Sequence, residues 1–446
     1  MGHQQMGTSF RVFRAPILHF TARPDPVSGG GYEYFPDGVL VVRDGHVETL
    51  GSAADLSRQG LALEQCEHYP DKLLMPGLID PHIHYPQTGV IASYGEQLID
   101  WLNQYTFPAE QAFRDPEHGR IRASEFLDLL LESGTTTAMV YTTIFPQSTE
   151  AFFEAALERN LRMVAGKVMM DRNAPQGLRD TVASGVADTR SLIERWHGRG
   201  RLDYAVTPRF APTSSREQLA AAGRLLREYE GVYLQTHLSE NRGEIAWVGS
   251  LFPEARDYLD VYDSYGLLGP RSVFGHGIHL SERERGRLGE TGSRIAFCPT
   301  SNLFLGSGLF DLAATEEAGI GVGVATDVGG GTSFSLLETL AEAYKVLQIQ
   351  GQPLHPLIGL YMATLGNART LALDDRIGNF ESGKEADFIL VDPGVSQVQK
   401  QRQERARSLD EVLFALMMLG DERNIAATYI QGVPVFQRDQ LERESA

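Results

Sequence analysis

Eight short apolar runs constrain this 446-residue chain more than any other feature, because each is followed by polar, Gly or Pro residues and then by an amphipathic stretch. They are residues 73–79, 135–141, 162–169, 202–207, 232–236, 272–275, 294–297 and 321–325. Runs of this length suit strands buried on both faces, and stretches such as 124–131 and 215–226 carry the helical period between them. Strands alternating with helices predict a parallel sheet. Eight of them over about 250 residues predict a closed (β/α)8 TIM-like barrel, whose chemistry sits where the strands end.

The flanks read differently. Residues 39–50 form two β-rich runs around Asp44-Gly45, the signature of a type I′ hairpin. At the far end, residues 387–391 read as a strand and 428–436 as two short strands around Gln431-Gly432. The polar stretch 397–407 reads as a solvated helix or loop. Composition then narrows the partners. Fifty-eight acidic against forty basic residues give a net charge of -18, which repels a phosphate backbone, so no nucleic acid is expected. Two cysteines, Cys66 and Cys298, suit a reducing compartment. No apolar run reaches the roughly 18–20 residues of a membrane span. The opening Met1-Gly2-His3-Gln4-Gln5-Met6 carries neither a basic-then-apolar leader nor a Ser or Thr where a myristoylation signal needs one. A cytoplasmic location without membrane contact is the expectation.

Candidate chemistry lies at the strand ends. The first run leads into Asp80-Pro81-His82-Ile83-His84, and side chains two apart on a strand share a face, so His82 and His84 can grip one cation. Spacing alone also describes two ordinary surface or core histidines. Position adds to it: the fifth run leads into His237-Leu238-Ser239-Glu240, the sixth into His276 and the eighth into Asp327. Singly, a strand-end histidine also suits a carbonyl hydrogen bond, and an Asp before glycines also caps a turn. Four of the twelve histidines nonetheless fall at predicted strand ends, whereas His3, His19, His46, His68, His118, His197, His279 and His355 do not. The run Gly329-Gly330-Gly331 lacks the Lys-Ser/Thr of a phosphate loop. The unpaired cysteines exclude the Pro-Cys-x-x-Cys zinc site of nucleic-acid deaminases.

These motifs, with the closing Gly383-Lys384-Glu385-Ala386-Asp387, resemble the amidohydrolase superfamily. More narrowly, the block from Trp101 to Glu110, Thr207-Pro208-Arg209-Phe210, His237-Leu238-Ser239-Glu240-Asn241-Arg242 and Cys298-Pro299-Thr300-Ser301-Asn302-Leu303 resemble the guanine-deaminase family within it. The resemblance implies a barrel at 76–380 and a small β-sandwich domain formed from both chain termini, 1–75 and 381–446. It implies one zinc ion per chain, held by His82, His84, His237 and Asp327. Binuclear relatives use a carbamylated lysine at the end of the fourth strand, where this chain has Arg209; Lys167, in the third run, reads as structural.

The implied reaction is hydrolysis of guanine to xanthine and ammonia. Zinc lowers the pKa of bound water to about 7. Asp327 takes a proton from that water, His276 holds or polarises the nucleophile, and Glu240 passes protons to the ring and to the departing ammonia. Gln87, Arg209 and Phe210 are the implied purine contacts. Without the family they read as a loop hydrogen bond, an ion pair and core packing. A homodimer is expected from the family and from the commonness of twofold oligomers. Two alternatives stand beside this reading. One is an amidohydrolase acting on an s-triazine, a pterin or a nucleoside; the other is a non-catalytic binding relative, against which the intact ligand positions argue.

Overall fold

The computed structural model describes residues 10–94 and 98–439, so the opening hexapeptide and His3 lie outside the described residues. Strands β1 (Phe10–Asp25), β2 (Gly30–Arg43), β3 (His46–Ser52), β4 (Glu67–His68) and β5 (Leu73–Pro76) come first. Next come β6 (Leu78–His84), β7 (Thr135–Tyr141), β8 (Arg162–Gly166), β9 (Val168–Met169) and β10 (Leu202–Pro208). They are followed by β11 (Tyr233–Leu238), β12 (Ser272–His276), β13 (Arg294–Phe297) and β14 (Gly321–Val324). Last are β15 (Phe388–Val391), β16 (Ile425–Ile430) and β17 (Val433–Gln437).

One sheet runs β14-β13-β12-β11-β10-β8-β7-β6 with parallel pairing throughout, and β9 adds to β10. Side chains bring its two edge strands together. Asn367 Nδ2 donates to the carbonyls of Ile79 and Val324, and Asp80 accepts from the hydroxyl and N–H of Thr326. The expected eightfold barrel is therefore present. Its interior is packed by Ile79, Met139, Val164, Ala205, Tyr233, Val273, Ala296 and Ala325, and Leu371, Leu373 and Ile377 join this cluster. The alternation of a strand carries the same inward face upward, from Tyr233 through Gln235 to His237 and from Ala325 to Asp327. Helices such as Pro116–Glu132 and Arg216–Glu228 lie between the strands in sequence, the second capped by the Ser215 side chain.

The second sheet has the order β17-β16-β15-β5-β1-β2-β3 and draws on both ends of the chain. Phe13, Ile17, Leu40 and Val42 from one end pack with Phe388, Leu390 and Tyr429 from the other, and the Phe388 and Tyr429 rings stack 4.4 Å apart. Both expected hairpins form. Asp44 and Gly45 take φ of 48° and 80°, and Gln431 and Gly432 take 48° and 74°, the left-handed pair that a type I′ turn requires. The stretch at 397–407 opens with the helix Gln397–Gln403. The strand expected at 73–79 is two strands in two sheets: Gly77 N–H donates to the Asp387 carbonyl and Leu78 N–H to that of Gly134. Hydropathy cannot register this change of sheet, because both pieces are buried. The strand at 162–169 is similarly broken at Lys167, whose ammonium is buried and bonded to Asp180 at 2.7 Å. No helix among the described residues is long and apolar enough to cross a membrane.

A buried ionic cluster joins the two units. Arg201 donates to Glu385 and Asp387, and Arg162 donates to Glu385, so the closing Gly-Lys-Glu-Ala-Asp motif is clamped against the starts of β8 and β10. Removing one member leaves the others charged and buried. Arg201→Leu is expected to lose about 3–5 kcal/mol of stability, read from the urea midpoint, with turnover of the folded fraction unchanged. A loss under about 1 kcal/mol would place the cluster with ordinary surface pairs.

Candidate metal centre and active site

His82 and His84 project from β6 with both rings buried. Each Nε2 stands 3.3 Å from Asp327 Oδ1, just past β14, and His237 Nε2 at the end of β11 is 3.3 Å from His84 Nε2. Donor atoms of His82, His84 and His237 lie within 4.8 Å of one another, and those of His82, His276, Cys298 and Asp327 form a second such group. The rings need room. A Cβ on Gly275 would sit 2.4 Å from the His82 ring, so only glycine at this point of β12 admits it.

Protonation is set by the surroundings. His237 Nδ1–H donates to the Arg209 carbonyl at 2.7 Å, which turns the Nε2 lone pair toward His84. Burial lowers the His84 pKa to about 4 and takes His237 well below the ordinary range, helped by the neighbouring histidines. Both are therefore neutral near pH 7. Burial alone would raise Asp327, but the close approach of the His82 and His84 rings and the electrostatic pull of His82 and His276 hold it well below the usual carboxylate range. Neither ring nitrogen of His82 has a hydrogen-bond partner among the described residues. Neutral imidazole lone pairs converging on a carboxylate repel one another unless a cation lies between them. Three nitrogens and an oxygen are a donor set that fits a divalent transition metal.

Beside this cluster, His276 Nε2 lies 3.4 Å from Glu240 Oε2 and 3.9 Å from Asp327 Oδ2. Asn302 Nδ2 donates to His276 Nδ1 at 2.9 Å, so the ring's proton sits on Nε2, facing the two carboxyl groups. Burial lowers His276 to about 3, leaving it neutral. Glu240 Oε1 accepts from the Ser307 hydroxyl at 3.2 Å; burial first, then the charges of Glu244 and Asp327, raise Glu240 well above the carboxylate range. It is a proton donor poised beside a carboxylate. His276 follows the inward Gly275 and on an unbroken strand would face the helices. A φ of 72° breaks the alternation, and Ser239 and Asp327 take φ of 50° and 51° at neighbouring strand ends. Such conformations cost about 1–2 kcal/mol each in non-glycine residues and concentrate at functional sites.

A pocket opens over these groups. Gln87, Arg209 and Phe210 line it, with Leu98, Trp101, Leu102 and Leu305 supplying apolar walls. The nine residues singled out from the sequence thus meet at the C-terminal mouth of the barrel, His82 directly beneath the others. Other residues stand here that were given no role. Asp80, raised to about 7 by burial, ties β6 to Thr326. Tyr141 stacks on His84 at 4.4 Å. Asn302 orients His276, and Glu110 bonds Arg209 Nη1 at 2.7 and 2.8 Å. Asn302 and Glu110 sit inside blocks already conspicuous in the sequence; their signal was a polar residue at a fixed place in a motif, with no partner visible.

The amidohydrolase family profile matches residues 73–435. Guanine deaminase of Escherichia coli K12 is 51% identical over 406 residues, covering 91% of this chain and 92% of that protein. The solved structure of an E. coli guanine deaminase superposes with a TM-score of 0.93 at 49% identity, over 96% of this chain and 100% of that one. A guanine deaminase from C. acetobutylicum, solved with guanine in its active site, superposes with a TM-score of 0.87 at 28% identity, over 96% and 100%. With the barrel, the strand-end histidines and the second sheet all in the places the motifs implied, the chain belongs to the amidohydrolase family and, within it, to the guanine deaminases.

Proposed function

We infer that this chain hydrolyses guanine to xanthine and ammonia, through one zinc ion held by His82, His84, His237 and Asp327. The observation that carries the reading is the pairing, in one pocket, of a neutral acid with an ionised base beside three converging imidazoles. When bound, the cation supplies Lewis acidity that makes water a nucleophile near neutral pH.

The chain's residues do the rest. Asp327, ionised and within 3.9 Å of His276, accepts a proton from the attacking water, and the His276 Nε2–H holds that oxygen in line with the ring. Glu240 protonates the ring nitrogen beside the attacked carbon. As the carbon–oxygen bond forms and the carbon–nitrogen bond breaks, one proton from water leaves on the exocyclic amine as ammonia, the other restores Glu240, and the ring carbon keeps the oxygen as a carbonyl. Arg209 and Gln87 offer donors to the purine carbonyl and ring nitrogens, and Phe210 offers an apolar face. The catalytic unit spans 76–380 in this reading, with 1–75 and 381–446 forming the smaller domain. A cytoplasmic homodimer is the assembly and location that complete it.

Two outcomes test the assignment. Elemental analysis is expected to give about one zinc per chain, and chelation to abolish guanine deamination until zinc is restored; two ions per chain at full activity would remove the mononuclear site. Glu240→Gln keeps the shape but cannot shuttle protons. Its turnover of guanine is expected to fall by about 10² to 10⁴ with zinc content unchanged, and near-normal turnover would take Glu240 out of the mechanism.

A further inference from the structure

The block from Trp101 to Glu110 lies outside the metal centre, yet it delivers a buried carboxylate to the pocket. Glu110 is 1% exposed, on the short helix Phe107–Gln111, and both its oxygens accept from Arg209 Nη1. The Arg209 guanidinium also lies over the Phe107 ring, 5.4 Å from its centroid. Gln87 Nε2 donates to Glu110 Oε1 at 3.3 Å, and Gln87 Oε1 accepts from Gly329 N–H at 3.3 Å. One end of the guanidinium is fixed by this network, while Nε and Nη2 have no hydrogen-bond partner among the described residues.

From this arrangement we propose that Glu110 is a positioning and specificity residue: it holds Arg209 as a charge-neutralised donor edge that accepts a neutral purine and does not retain an anionic product. The proposal rests on the guanine reading and deepens it. Deamination replaces an amine by a carbonyl, which makes the ring N–H groups more acidic, so at mildly alkaline pH xanthine is partly anionic where guanine is neutral. An isolated guanidinium in a buried pocket would bind that anion tightly. With a carboxylate on Nη1 the pair has no net charge, and the product gains no more from Arg209 than the substrate does.

The test compares inhibition by xanthine with inhibition by hypoxanthine, which stays neutral at the same mildly alkaline pH. The other ionisable groups lining the pocket, His84, His237, His276, Glu240 and Asp327, are common to both measurements, so the ratio isolates the ligand's charge. In Glu110→Gln, xanthine is expected to gain on hypoxanthine by about tenfold or more, while Glu110→Asp, which keeps the charge, holds the wild-type ratio. An unchanged ratio in folded Glu110→Gln overturns the proposal. Should that variant not fold, the wild type decides: its xanthine-to-hypoxanthine ratio stays flat as xanthine ionises, and a tenfold tightening contradicts the neutralised pair. Calorimetric binding of the two purines reads this ratio without turnover. Loss of the guanine reading would show separately, as a wild-type enzyme that does not release ammonia from guanine.

Discussion

Three buried imidazoles and one ionised carboxylate aimed at the same point make an arrangement that calls for a cation between them, and the barrel mouth is organised around that demand. Burial keeps His84 and His237 unprotonated, the Arg209 carbonyl fixes the His237 tautomer, and Gly275 leaves space for the His82 ring. Asp80 and Asn367 hold the first and last strands together just below, so the His82–His84 pair and Asp327 cannot drift apart.

Everything above that point is set by a second constraint: a purine must be held with its amine-bearing carbon facing Glu240 and Asp327 while protons move on one side of it. Glu240 and Asp327 lie in nearly the same burial but in opposite charge states, because Asp327 has the His82 and His84 rings 3.3 Å away whereas Glu240 has a serine hydroxyl and two acidic neighbours. Separation of two carboxyl groups by environment is a recurring way to obtain an acid and a base from one residue type. On the far side, the Glu110–Arg209–Gln87 network fixes donors for the ring.

Much of this was legible in the residues. Eight apolar runs with helical stretches between them predict the barrel because the period of each element is local, and the Asp44-Gly45 and Gln431-Gly432 turns need nothing but their own backbone freedom. The His82–His84 pair follows from alternation, and His237, His276 and Asp327 from their position at predicted strand ends. What escaped depends on contacts between distant segments. The switch of sheet at Gly77 is invisible because β5 and β6 are equally buried, and the partnership of Glu110 with Arg209 spans 99 residues. The unusual φ of His276, which brings its ring round to Glu240, leaves no mark in hydropathy or spacing.

The central claim is that a single cation is bound by nitrogen and oxygen alone, although Cys298 lies close enough to His82 and Asp327 to compete. X-ray absorption at the zinc edge of the purified protein separates the two cases, since nitrogen and oxygen ligands lie at about 2.0–2.2 Å and sulfur at about 2.3 Å. The account predicts a nitrogen and oxygen shell with no sulfur scatterer. A sulfur ligand at about 2.3 Å would bring Cys298 into the coordination sphere and contradict it.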